Sequence, residues 1–329
     1  MDLADLRAWA INPLALRRAE HGLNNDSYFV TAREGEFVVR VYSNPADPTR
    51  VRDEHDLLGR LALQELPFAV PTLVRAIGGD TLTVLETTSG PRLAALFERI
   101  PGEPAALHVG NARLAGRALA QLDTAFGRSD LPVRAPATLR DVHFLVVDPH
   151  AALDDLELGD RGAPVREIFS RVMSEHDALT VSLPRQIIHG DFAFPNVLVA
   201  GRKVTGILDF EFAGADVRAA DLACALYVTV VRSDSARRWP LLEALAAGYR
   251  RALPLDPVEA AAVPELMLRR AAIGLVHWIG RWRQGIAPRS EPLERVERGT
   301  RFAHWLDANA AHVALVASGE RITTPATVR

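Results

Sequence analysis

The chain has 329 residues, 48% of them hydrophobic, and a formal net charge of −3. That composition is enough for one large domain or two lobes with proper cores, and it argues against a nucleic-acid-binding or membrane-surface protein. The single cysteine, Cys224, excludes an internal disulfide and a cysteine-based metal site.

The N-terminal stretch MDLADLRAWAI is acidic and lacks a basic region followed by an apolar core, so it does not read as a signal peptide. The apolar run LACALYVTVV around Cys224 is too short to span a bilayer. The expected setting is cytoplasmic.

From Ala19 to Leu85 short apolar runs alternate with turns. SYFVTA (Ser27–Ala32) and EFVVRVY (Glu36–Tyr42) flank Arg33-Glu34-Gly35, a compact hairpin signal. Asn44-Pro45-Ala46-Asp47-Pro48 reads as a loop. Thr49–Leu66 follows with apolar residues at Val51, Leu57, Leu58, Leu61 and Leu66, a helical spacing that Thr49 can cap. Pro71–Ile77 and Thr81–Glu86 read as a second hairpin across Gly78-Gly79-Asp80, with Leu93–Ile100 as a further strand.

At Ile100-Pro101-Gly102-Glu103-Pro104 the pattern changes, and helices dominate beyond it. Helical periodicity covers His108–Phe126, Pro164–Leu179, Asp216–Val231, Ala236–Leu253, Val258–Arg283 and Glu291–Ala317. Between Pro184 and Gly214 lies an island of two short apolar strands. The expectation is α+β: a small β-rich lobe with one helix, residues 1–100, then a larger mostly helical lobe, residues 101–329, with a ligand site between them.

The island carries the chemistry. Its first strand ends in His189-Gly190-Asp191, with Asn196 five residues beyond the aspartate; its second ends in Asp209-Phe210-Glu211. A hairpin turning at Gly201-Arg202 should bring Asp191, Asn196 and Asp209 together. Two carboxylates and an amide oxygen are hard ligands that suit Mg²⁺ alongside phosphate oxygens.

In order along the chain, GLNNDSYFVTAREGEFVVRVY, LAALFERIPGEP, HGDFAFPNVLV, TGILDFEFA and Ala220-Asp221-Leu222-Ala223 resemble the aminoglycoside phosphotransferase/choline kinase superfamily, which has the protein-kinase-like fold. Within it the resemblance is closest to type II homoserine kinase-like phosphotransferases. It covers residues 22 to 223; the last hundred residues resemble only a generic helical tail.

The resemblance implies an ATP- and Mg²⁺-dependent kinase that phosphorylates the hydroxyl of a small molecule, with a homoserine-like amino alcohol favoured. It implies roles as well. Asp191 would be the catalytic base. Asn196 and Asp209 would hold Mg²⁺, with Glu211 in support. His189 would brace the loop and Asp221 would stabilise it. Arg40 would contact the α/β phosphates, oriented by Glu54, and Asn25 and Ser27 would approach the phosphates. The backbone of Glu98, Arg99 and Ile100 would be the adenine hinge.

Two departures from the pattern stand out. Arg40 occupies a position where the family often has lysine, but Lys203 is the chain's only lysine, leaving 37 of 38 basic residues as arginine, so this exchange has a compositional cause. The phosphate loop carries only Gly22.

Other acceptors within the superfamily are aminoglycosides, choline and sugars. A net-basic stretch over Val263–Arg301 disfavours a polycationic aminoglycoside and suits a carboxylate- or phosphate-bearing acceptor. A stress-type Ser/Thr protein kinase would need a longer segment than Phe210–Asp221 to dock a peptide. A non-catalytic nucleotide-binding protein finds support only in Arg40. Neither nucleic acid nor membrane is an expected partner, and no sequence feature sets an oligomeric state.

Overall fold

The computed structural model describes residues 3–19, 25–42, 48–87, 90–129 and 137–320. Gly22 and the loop over Asn44–Asp47 therefore lie outside the described residues.

In chain order the first elements are β1 (Pro13–Arg18), β2 (Asp26–Ala32), β3 (Gly35–Val41), α1 (Pro48–Leu61), β4 (Leu73–Val74), β5 (Thr83–Thr87), β6 (Gly90–Glu98) and β7 (Glu103–Pro104). Then come α2 (Val109–Gly127), α3 (Pro149–Asp154), α4 (Ala163–Ser182), β8 (Arg185–Ile188), β9 (Val197–Ala200), β10 (Lys203–Ile207) and β11 (Gly214–Val217). Four helices finish the chain: α5 (Ala219–Arg232), α6 (Ser235–Ala252), α7 (Pro257–Arg283) and α8 (Ser290–Ser318). They form two compact units. One contains residues 1–105 and 195–211, the other residues 106–194 and 212–329.

The first unit is built on an antiparallel sheet in the order β1-β2-β3-β6-β4, with β5 also on β6. The β2–β3 hairpin forms as its alternation predicts, with Ser27 opposite Arg40 and Ala32 opposite Gly35. One face buries Leu6, Trp9, Val30, Val39, Leu85 and Leu96. Helix α1 buries Val51, Leu57, Leu58 and Leu61, and with them the polar Glu54 and His55. It begins at Pro48 and ends at Leu61, so Thr49 lies inside the first turn instead of capping it.

The expected hairpin across Gly78-Gly79-Asp80 is corrected. The turn exists, closed by the Ala76 N–H to the Asp80 carbonyl at 2.8 Å. Its arms do not pair with each other: Leu73–Val74 and Thr83–Thr87 both pair with β6. Strand β6 is nine residues long with Ala94 to Phe97 buried, so β3 covers one edge while β4 and β5 share the other. A long buried strand offers more ladder hydrogen bonds than the short hairpin would.

In the second unit α2 and α6 approach at backbone distance. A Cβ on Gly116 would stand 1.9 Å from the Leu245 carbonyl oxygen, and one on Gly248 2.1 Å from that of Arg113. Helix α7 starts at a capping box, Asp256 with Glu259. The helix expected over Asp216–Val231 begins only at Ala219. Residues 214–217 form β11, antiparallel to β8, and the buried Arg269 holds the Asp216 carboxylate at 2.8 Å. No described helix is long and apolar enough to cross a membrane.

Candidate active site

In the first unit, strand alternation and the β9–β10 hairpin set the polar side chains. Ile207 pairs with Val197, and the Leu208 N–H donates to the Asn196 carbonyl at 2.8 Å, so Asn196 lies beside the turn that carries Asp209. Asp209 has φ of 70°, a left-handed conformation that a residue with a Cβ rarely adopts and that recurs at functional turns. Arg40, on β3, reaches two carboxylates: Nη1 donates to Glu54 Oε1 at 3.2 Å and Nη2 to Asp209 Oδ1 at 3.1 Å.

Burial of Arg40 works against its charge, but Asp209 and Glu54 outweigh it and hold the guanidinium firmly protonated. Burial pushes Glu54 up to about 7 even though Arg40 pulls the other way. Burial likewise lowers His55 to about 4, so it sits neutral between the Tyr42 hydroxyl and Thr81.

Asn25 Nδ2 donates to Glu211 Oε2 at 2.7 Å, which ties the entry of β2 to the end of the Asp209 turn. Ser27 sits directly across from Arg40 in the sheet. In the segment over Glu98–Ile100, the Glu98 N–H donates to the Thr72 carbonyl and the Arg99 N–H to that of Glu36, at 2.9 and 3.0 Å. The Ile100 N–H has no such partner among the described residues.

Among the described residues no group of three or more His, Cys, Asp or Glu side chains could hold a metal unaided. Asn196 and Asp209 are hard oxygen donors of the kind that bind Mg²⁺ when phosphate oxygens and water complete the shell. The donor set fits a nucleotide-bound magnesium.

In the second unit, β8 leads into His189-Gly190-Asp191. Gly190 has φ of 76°, and a Cβ there would stand 2.5 Å from the Phe212 carbonyl oxygen, so only glycine fits. His189 is fully buried. Its N–H donates to Asp221 Oδ2 at 2.6 Å and the Gly190 N–H to Oδ1 at 2.8 Å, which pins the loop to α5. Burial raises Asp221, although its interaction with His189 and these N–H groups oppose the rise.

Sequence reasoning missed two features. Asp123 on α2 is completely buried beside Asp221; Tyr249 donates to its Oδ2 at 2.7 Å, and burial, with Asp221 next, raises it well above the carboxylate range. An aspartate on the apolar face of α2, one turn past Leu119, was the available signal. The second is Arg270 on α7, whose Nη2 is ion-paired with Asp191. It stood within an arginine-rich stretch with nothing to single it out.

Residues 15–261 match the phosphotransferase enzyme family. A homoserine kinase from Acidiphilium cryptum is 30% identical over 296 residues, covering 85% of this chain and 86% of that protein. The microcompartment-associated aminopropanol kinase superposes with a TM-score of 0.68 at 20% identity, over 95% of this chain and 97% of that one. An amicoumacin kinase in complex with AMP-PNP, Ca²⁺ and Ami does so with 0.68 at 15%, over 93% and 92%. The fold is the protein-kinase-like one, with an antiparallel β-sheet lobe and a larger helical lobe. The chain belongs to the phosphotransferase enzyme family and is a small-molecule kinase acting on a hydroxyl group.

Proposed function

We propose that the chain transfers the γ-phosphoryl group of ATP to the hydroxyl of a small amino or hydroxy acid, with homoserine the first acceptor to test. The observation that carries this reading is the triple contact Glu54–Arg40–Asp209 beside Asn196, a set of charges that suits a nucleotide triphosphate and its metal. The similarity to homoserine kinases over most of the chain supports the acceptor class.

Arg40 would bind the α/β phosphates as a fork where a lysine would act as a point charge. Glu54 would orient it. Ile100 would offer its N–H to the adenine edge, since those of Glu98 and Arg99 are engaged in the sheet. Asn25 and Ser27, at the start of β2, would flank the phosphates, and Glu211 would position Asn25. Asn196 and Asp209 would hold Mg²⁺, which when bound neutralises charge on the phosphates.

Asp191 would orient the acceptor hydroxyl and take its proton as the O–P bond forms. Phosphoryl transfer asks chiefly for positioning and charge stabilisation, which is why so few side chains suffice. A phosphotransfer screen with ATP and GTP across amino alcohols, hydroxy amino acids, sugars, choline and aminoglycosides tests the reading, with Asp191→Ala as the blank. The expected result is turnover of a hydroxy amino acid, lowered about 10²- to 10⁴-fold in the variant with nucleotide binding kept. Turnover by Asp191→Ala at the wild-type rate would remove Asp191 from the mechanism.

A further inference from the structure

The Asp191–Arg270 pair is not a sealed ion pair. The side chains are 26% and 22% exposed, so both reach solvent. Arg270 uses Nη2 on Asp191 and Nε on Cys224 Sγ at 3.2 Å, and its Nη1 has no partner among the described residues. The flank of Nη1 is open because position 274, one helical turn on, is a glycine; a Cβ there would stand 3.4 Å from it. The thiol is not a countercharge: burial pushes Cys224 up to about 11.

The neighbourhood is cationic. Arg270, Arg298 and Arg295 all act on the partly buried phenol of Tyr227. Arg281 and Arg295 lie 5.3 and 4.9 Å from the centre of the Trp278 ring. His277 adds no charge, since burial and the nearby Arg281 hold it neutral with a pKa near 3. Against these stand Asp191 itself, Glu291, which is spent on Arg295 at 3.4 Å, and Glu294, which also acts on Arg295. A base surrounded in this way repels a polyamine and attracts a carboxylate.

We propose that Arg270 is the acceptor-recognition residue: Nη1 takes the carboxylate of a short-chain hydroxy acid while Nη2 holds Asp191, so that one guanidinium aligns acceptor and base. The proposal rests on the reading of Asp191 as the base. It defines the substrate class as hydroxy or amino-hydroxy acids, in which the carboxylate lies a few bonds from the phosphorylated hydroxyl. A planar fork can serve two carboxylates at once, as a lysine ammonium does less well.

The test compares homoserine with 3-aminopropan-1-ol, which lacks the carboxylate, in the full-length wild type, Arg270→Lys and Arg270→Gln, by ADP release. The ratio of kcat/KM between the two acceptors is internal to each variant, so partial loss of folded protein cancels. A site built around a polar substrate group rejects the analogue lacking it, and the expected wild-type preference is about 10²-fold or more for the carboxylate. Arg270→Lys should keep part of it, and Arg270→Gln should bring the ratio near one with the KM for ATP unchanged.

The proposal is overturned if Arg270→Gln lowers both acceptors by one factor, which would make Arg270 only a partner of Asp191. It is also overturned if the variant raises the KM for ATP in place of that for the acceptor, which would place it on the γ-phosphate. If the wild type phosphorylates neither compound, the kinase reading of this acceptor class fails separately. Calorimetric titration of the same two compounds then decides the clamp: carboxylate-selective binding lost in Arg270→Gln supports it, and equal binding of both by the wild type sinks it.

Discussion

Arg40 Nη2 donates to Asp209 Oδ1 at 3.1 Å, joining the centre of the sheet to a turn 169 residues later in the chain. The same guanidinium holds Glu54 on α1, so three distant segments meet on one side chain.

Removing that cation should be costly. Arg40→Met leaves the buried Glu54 without its partner, and the expected loss is about 2–3 kcal/mol by denaturant unfolding, moderated because Glu54 can take up a proton. Arg40→Lys should keep most of the stability but weaken ATP binding about tenfold, because an ammonium reaches one carboxylate or phosphate oxygen where the fork reaches two. Equal ATP affinity for Arg40→Lys and wild type would show that the fork is not used.

Glu54 gives a pH signature. Its folded pKa of about 7 lies above its unfolded value, so the folded state binds the extra proton. Its contribution to stability is greatest below the unfolded value, near pH 4, and falls as pH rises to about 7. Glu54→Gln should flatten the stability curve across that window, read from urea midpoints at successive pH values. An unchanged slope would mean that another group titrates there.

Asp123 and Asp221 make the same kind of test in the second unit. Asp123 is raised well above its unfolded value by burial, so it is folded as the neutral acid and loses stability as pH climbs through its raised value. Asp123→Asn keeps a neutral, hydrogen-bonding group of the same size, and its stability should depend less on pH than that of the wild type. Asp123→Ala removes the acceptor of the Tyr249 hydroxyl and should cost about 1–3 kcal/mol. If Asp123→Asn is as damaging as alanine, the neutral-acid assignment is wrong.

Gly190→Ala should be poorly tolerated. It meets both a left-handed backbone and a carbonyl oxygen 2.5 Å from the new Cβ. The cost should exceed the roughly 1 kcal/mol of a positive-φ substitution alone, and it should displace Asp191. Loss of turnover out of proportion to loss of folded protein, measured by activity against thermal melting, is the expected pattern. Intact kinetics in a folded variant would mean that the loop tolerates the shift.

The β2–β3 hairpin was legible because alternation and a tight turn are local signals, and the α2 and α4 to α8 helices were legible because periodicity is local. Strand partners were less so. The Gly78-Gly79-Asp80 turn was read correctly, yet its arms belong to β6, because a strand takes whichever neighbour completes its ladder. Asp216 and Val217 were read as the start of a helix but belong to β11 and pair with β8, where Arg269 fixes Asp216.

By itself the sequence determined the family, the β2–β3 hairpin and the helices α2 and α4 to α8, because periodicity and turn chemistry are properties of neighbouring residues. Only the tertiary structure decided that residues 195–211 pack with the first 105, that Arg40 bridges two carboxylates, that Asp123 is a buried partner of the Asp221 brace, and that Arg270 holds Asp191. Those are long-range contacts. Burial and charge pairing depend on which distant side chains share a space, and no local pattern encodes that.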